Sequence, residues 1–237
     1  MRVVFLCLFA SFVFASEIVI AAASNLTYVM PEIIKAFNKK YPNEKIRFIT
    51  SSSGKLTAQI LKKAPFDLFL SADMKYPKYL YSKGIGILPP KVYAKGKLIL
   101  LSTKYNNLSI KNLAKFDSIA ISKPQITPYG KAAVEVFKNA KIYNKIKSKL
   151  VYAPAVAAVI SYVKNGVDAG IISKSLIFSK NIKQIGKFYY KDINSSLYSP
   201  LNQGALLLDK KAQDFYKFLF SKSAKNIFKK YGYDIND

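Results

Sequence analysis

Compact apolar runs and amphipathic stretches alternate along almost the whole chain. Residues 18–22 form an uninterrupted apolar run that reads as a buried strand, and Met30, Ile33, Ile34, Phe37 and Tyr41 then recur at helical spacing. Ile46 and Phe48 alternate with polar neighbours ahead of a serine cluster, after which Leu56, Ile60 and Leu61 resume the helical period. Residues 67–71, 98–101 and 119–122 are further strand-like runs. Helices are expected through Ala133, Val136 and Phe137 and through Val156, Val159, Ile160 and Val163, with strands at 167–172 and 205–208. Phe215, Leu219, Ile227 and Phe228 fall on one long C-terminal helical segment. Such alternation predicts an α/β fold with mainly parallel sheets and helices on their faces. No segment repeats, and no low-complexity linker interrupts the pattern.

The first fifteen residues stand outside this pattern. Arg2 precedes an apolar run from Val3 to Phe14, with Val13 and Ala15 at −3 and −1 of a cut before Ser16. Residues 1–15 therefore read as a secretory signal peptide, too short to span a bilayer. Cys7 is the only cysteine and lies inside that run, so the mature chain would carry no thiol and no disulfide. The remainder is long enough for one α/β domain or two smaller lobes.

The formal charge is +25, from 38 basic and 13 acidic residues. Nearly all of it is lysine, and Arg47 is the only arginine beyond the apolar run. Groove readers use arginine forks, so the charge reads as a solvated lysine surface with some share in steering an anion, and no nucleic acid is expected. The chain contains no histidine. With no residual thiol either, acid–base or nucleophilic chemistry lacks its usual carriers. Asp67 and Asp73 are expected to serve as caps, and no enzyme activity is expected.

Three stretches place small hydroxyl, amide or glycine residues where an apolar run ends and a helical pattern begins: residues 21–25 (AAASN), 51–56 (SSSGKL) and 127–133 (TPYGKAA). A helix N-terminus offers free N–H groups and a positive dipole end, and nearby hydroxyls add donors. In α/β sheets such loops lie at the carboxyl ends of strands, where ligands sit. A fourth candidate is residues 153–156, although Pro154 there also suits the ordinary first position of a helix.

The chain resembles the periplasmic molybdate-binding proteins of ABC transporters. The resemblance is carried by residues 21–24, by Ser52, Ser53, Gly54, Leu56, Gln59 and Ile60, by the block 64–73 (APFDLFLSAD) and by the ending 227–233 (IFKKYGY). It implies a two-lobed type II periplasmic binding protein, each lobe a mainly parallel sheet flanked by helices, with the ligand between them. Lobe 1 would comprise 17–98 plus 200–237 and lobe 2 would comprise 99–199. The implied function is a monomeric periplasmic receptor, with no cofactor, that binds molybdate or tungstate and docks transiently on a membrane permease. The implied contacts are Ser24 with Asn25 beside it, Ser53, Tyr129, and Val156 through its backbone N–H. Many relatives place a tyrosine where this chain has Ser173, and a branch has one before the glycine of the Pro-Tyr-Gly turn. Tyr129 would then supply that hydroxyl, or contribute only its N–H. The alternatives are a sulfate-type oxyanion binder and a ferric-ion binder, the latter suggested by Tyr189-Tyr190 as phenolate ligands.

Overall fold

A computed structural model describes residues 17–178, 182 and 186–235. The expected signal peptide, with Cys7, lies outside the described residues. The strands are β1 (Ile18–Ala23), β2 (Ile46–Ser51), β3 (Leu68–Ser71), β4 (Lys91–Gly96), β5 (Leu98–Ser102), β6 (Ile119–Ser122), β7 (Leu150–Ala153), β8 (Ala169–Ser173), β9 (Tyr189–Asp192) and β10 (Leu201–Leu207). They form two five-stranded sheets, ordered β2-β1-β3-β10-β4 and β7-β6-β8-β5-β9. In the first, β2, β1 and β3 are parallel and β10 is antiparallel to both its neighbours. In the second, β7, β6 and β8 are parallel and β5 is antiparallel to β8 and β9. Each sheet is thus parallel in direction except for one reversed strand. Those two strands flank the crossings: the chain leaves the first sheet at Lys97 and returns after β9 into β10.

The helices are α1 (Met30–Asn38), α2 (Ser53–Leu61), α3 (Lys75–Ser82), α4 (Pro128–Asn139), α5 (Tyr143–Ile146), α6 (Val159–Lys164), α7 (Gln213–Phe218) and α8 (Lys222–Lys230). Period-two alternation in β1 and β3 sorts them. Ile18, Ile20, Ala22, Leu68 and Leu70 face a core with Met30, Ile33, Phe37, Phe215 and Phe228, which places α1, α7 and α8 on one side. Ala21 and Phe69 face the other way, onto Leu56, Ile60 and Leu80 of α2 and α3. The second sheet has its own core of Ile99, Leu101, Ile119, Ile121, Val136, Phe137, Val159 and Ile171.

Several expectations change. The C-terminal helical segment is two helices: the first ends at Phe218, and Ser221 caps the next, its Oγ accepting from the Ala224 N–H at 3.2 Å. The helix expected from Val156 begins as a 3-10 turn, Val156–Ala158, with Pro154 outside it. Strands β4 and β9 and helix α3 were not legible, for α3 mixes lysine and tyrosine around Pro77 while β4 and β9 are sheet-edge strands rich in lysine and tyrosine. Both aspartates act within the backbone scaffold, but only Asp73 is cap-like, whereas Asp67 ties strand β1 and caps no helix. Asp67 Oδ2 accepts from the Val19 N–H at 2.6 Å and pairs with Lys211 at 3.0 Å, and Asp73 Oδ1 accepts from the Tyr76 N–H at the start of α3.

Candidate anion site between the two sheets

All four loops meet. The carboxyl ends of β1, β2 and β3 and the segments leading into α4 and α6 enclose one cavity, lined by Ala23, Ser24, Asn25, Ser51, Ser52, Ser53, Ala72, Thr127, Pro128, Tyr129 and Val156. The five expected contacts, Ser24, Asn25, Ser53, Tyr129 and Val156, therefore line one place, although they come from both sheets. The cavity measures about 10 Å³, roughly the space of one water molecule.

The two serines have matched geometry. Ser24 begins a short 3-10 turn and its Oγ accepts from the Ala157 N–H at 3.4 Å, across from the other sheet. Ser53 opens α2, and its Oγ accepts from the Ala72 N–H at 3.1 Å. A serine hydroxyl has one proton and two lone pairs. Accepting a backbone N–H fixes the oxygen and leaves the proton to give. Ser52, by contrast, is the cap of α2, its side chain accepting from the Lys55 N–H, and Thr127 caps α4 by accepting from the Gly130 N–H at 3.1 Å. Neither α2 nor α4 carries an acidic residue in its first turn, so both positive dipole ends reach the cavity uncancelled.

Asn25 and Tyr129 are more constrained than the sequence suggests. Asn25 Nδ2 donates to Gln203 Oε1 at 2.9 Å and to the Tyr233 hydroxyl at 2.7 Å, while its Oδ1, an acceptor, is buried without a partner. Its backbone N–H is the donor left for an anion. The Tyr129 hydroxyl lies 2.9 Å from Ser173 Oγ and accepts from Gln203 Nε2 at 3.5 Å. The hydroxyl expected to replace the donor absent at Ser173 is thus bonded to Ser173. Tyr129 occupies the second position of α4, where the N–H has no carbonyl partner within the helix. Burial, with Tyr233 close by, pushes the Tyr129 phenol well above its usual range, so the ring stays protonated and neutral. Val156 is buried at the start of its 3-10 turn, with its N–H likewise outside the turn's own bonding.

Gln203, Tyr233 and Ser175 were missed. Gln203 is completely buried in β10, but beside Asn202 it lies ahead of the expected strand 205–208 and carried no sequence signal. Tyr189 and Tyr190 lie on edge strand β9, with Tyr190 half exposed, and neither lines the cavity. No side chain lining the cavity carries a carboxylate, an imidazole or an ammonium group.

Residues 18–234 match the family of bacterial extracellular solute-binding proteins. The chain is 30% identical to the molybdate-binding protein ModA of Rhodobacter capsulatus over 229 residues, covering 92% of this chain and 88% of the relative. It is also 30% identical to ModA of Azotobacter vinelandii over 232 residues, 93% and 91% of the two chains. The solved structure of the Azotobacter vinelandii periplasmic molybdate-binding protein superposes with a TM-score of 0.84 at 28% identity, over 93% of this chain and all of the other. A match over nearly the whole described length, in sequence and in fold, places the chain among the bacterial extracellular solute-binding proteins.

Proposed function

We propose that this protein is an extracytoplasmic, monomeric receptor that closes around molybdate, or tungstate, and presents it to an ABC permease. The first sheet with its helices (17–98 and 200–237) and the second (99–199) act as the closing lobes, and the crossings at Lys97 and at 193–200 act as the hinge. One observation carries the reading: a cavity between the lobes is lined by hydroxyls and helix N-termini and by no ionised side chain. A tetrahedral dianion needs donors only, and a water-free pocket strengthens each of them. The ligand contacts of this reading are the hydroxyls of Ser24 and Ser53 and the backbone N–H groups of Asn25, Tyr129 and Val156. The relatives described above, two of them named for molybdate binding, support the choice of anion.

A ferric ion would require hard anionic ligands, which this cavity does not offer. Phosphate retains a proton at neutral pH and needs an acceptor to receive it. Titration calorimetry of the mature chain with molybdate, tungstate, sulfate, phosphate and ferric citrate tests the proposal. Tight one-to-one binding of molybdate and tungstate is expected, with sulfate weaker and phosphate and iron without specific heat. Iron binding with a phenolate absorption band, or phosphate as the tightest ligand, would overturn it.

A further inference from the structure

Against the cavity, with Asn25 and Tyr129 in its wall, five buried polar residues from both lobes make a hydrogen-bond ring that Tyr233 joins at Asn25. Asn25 Nδ2 donates to Gln203 Oε1 at 2.9 Å, and Gln203 Nε2 donates to the Tyr129 hydroxyl at 3.5 Å. From Tyr129 the ring continues to Ser173 Oγ at 2.9 Å and to Ser175 Oγ at 2.8 Å. Ser175 Oγ donates to the Asn25 carbonyl at 2.8 Å, which closes the ring, and the Tyr233 hydroxyl donates to the same carbonyl at 3.1 Å. Asn25, Gln203 and Tyr233 belong to the first lobe; Tyr129, Ser173 and Ser175 belong to the second.

The Gln203 amide has one orientation. Gln203 Nε2 also donates to the carbonyls of Ala72 and Leu201, both at 3.2 Å, which fixes the amide with Oε1 toward Asn25. Each hydroxyl has one proton to give. Ser175 Oγ donates to the Asn25 carbonyl, and Ser173 Oγ donates to the Tyr129 hydroxyl, which Gln203 Nε2 also approaches. A β-bulge in β10 between Gln203 and Gly204 sets this side chain off the regular ladder. Gly96, the last residue before the first crossing, has no Cβ, and one placed there would overlap the Tyr129 hydroxyl. The ring therefore sits against the hinge itself.

Opening the lobes separates Asn25 and Gln203 from Tyr129 and Ser175 and leaves several buried donors and acceptors unmatched. We propose that this ring is the closure lock of the receptor, and that Gln203, Ser175 and Ser173 are positioning residues that set affinity without touching the anion. This rests on the functional reading above only for the identity of the ligand, since the lock itself acts on the lobes.

The test has an arm that needs no ligand. The mature chain would have no thiol, so cysteines introduced as Lys55→Cys and Lys123→Cys, exposed positions beside the contact between Gly54 and Ile126, carry a spin-label pair whose separation reports opening. In the ligand-free protein, Gln203→Met and Ser175→Ala are each expected to shift the distance distribution toward longer separations. Adding molybdate should narrow the distribution in the parent, and Kd should rise about tenfold or more in both variants, chiefly through faster release. Distances unchanged from the parent, with melting temperature lowered in apo and loaded protein alike, would show that the ring is structural only and overturn the proposal. A parent that ignores molybdate while the variants still open more widely would refute the ligand and leave the lock standing.

Discussion

Ser24 and Ser53 each accept a backbone N–H and keep a proton free, which separates them from Ser52 and Thr127, whose oxygens cap helices. Ser53→Ala removes a hydrogen bond to a charged acceptor, of about 1.5–3 kcal/mol. Molybdate affinity should fall roughly ten- to hundredfold by calorimetry, with a moderate drop in apo melting temperature because the buried Ala72 N–H loses its acceptor. Ser24→Ala should act similarly, with a further small loss of closure because Ala157 N–H loses its acceptor. Equal affinities with lowered melting temperatures would assign both serines to structure alone. Tyr129→Phe is a different kind of change. Its hydroxyl is bonded to Ser173, so Tyr129→Phe and Ser173→Ala should weaken molybdate binding by comparable factors. A large loss for Tyr129→Phe beside none for Ser173→Ala would instead place the hydroxyl on the ligand.

At the scale of elements, the start of α2 is one place where the lobes touch through backbone. The Gly54 N–H donates to the Ile126 carbonyl at 3.0 Å across the cleft, and the Tyr76 hydroxyl donates to the Gln125 carbonyl nearby. A Cβ at Gly54 would stand 2.9 Å from the Tyr76 hydroxyl and 3.0 Å from Ile126 Cβ and O. Gly54→Ala should therefore hold the lobes apart, raising Kd for molybdate about tenfold while leaving apo stability within about 0.5 kcal/mol, the range of surface changes. Unchanged affinity would show that the approach is not needed for binding.

A second element-scale prediction concerns Asp168, which precedes β8 and ties it to the turn before β6. Its Oδ2 accepts from the N–H groups of Asp117 and Ser118 at 2.8 and 3.2 Å, and its Oδ1 pairs with Lys104 at 2.8 Å. Burial works to raise its pKa, but the Lys104 bond and the two N–H groups outweigh it and hold the carboxyl below its usual 3.8. A carboxylate lowered in the folded state stabilises above its unfolded pKa and loses that contribution as pH falls through the folded value. Asp168→Asn should reduce stability by about 1–3 kcal/mol near neutrality. The difference from the parent should shrink below pH 4 in urea titrations. A difference constant down to pH 2 would mean the charge contributes nothing.

For the whole molecule, a ligand that binds only the closed native state stabilises it by RT ln(1 + [L]/Kd), roughly 4 kcal/mol at a thousandfold excess. Molybdate should raise the melting temperature by several degrees. No ionised group lines the cavity and the Tyr129 phenol lies far above neutrality, so this gain should be flat between about pH 6.5 and 8.5. It should depend only weakly on salt, since a buried site is screened far less than the lysine surface. A steep pH dependence in that window would reveal a titrating group in the site.

Much of this was legible in the residues. The apolar runs of β1, β3, β5, β6 and β8 are strong because each lies buried inside a sheet, and the small polar loops at their ends mark helix N-termini through local chemistry. Strands β4 and β9 escaped because an edge strand needs no apolar pattern, and the break at Ser221 escaped because one cap residue decides it. The sequence by itself determined that neutral donors sit at helix starts. Only the tertiary structure decided which atoms remain free to donate there. Asn25 Nδ2 and the Tyr129 hydroxyl looked available, yet Gln203, Tyr233 and Ser173 engage them from distant parts of the chain. Hydrogen-bond satisfaction is a property of three-dimensional neighbours, each group having few protons and lone pairs. No local pattern can say where they go.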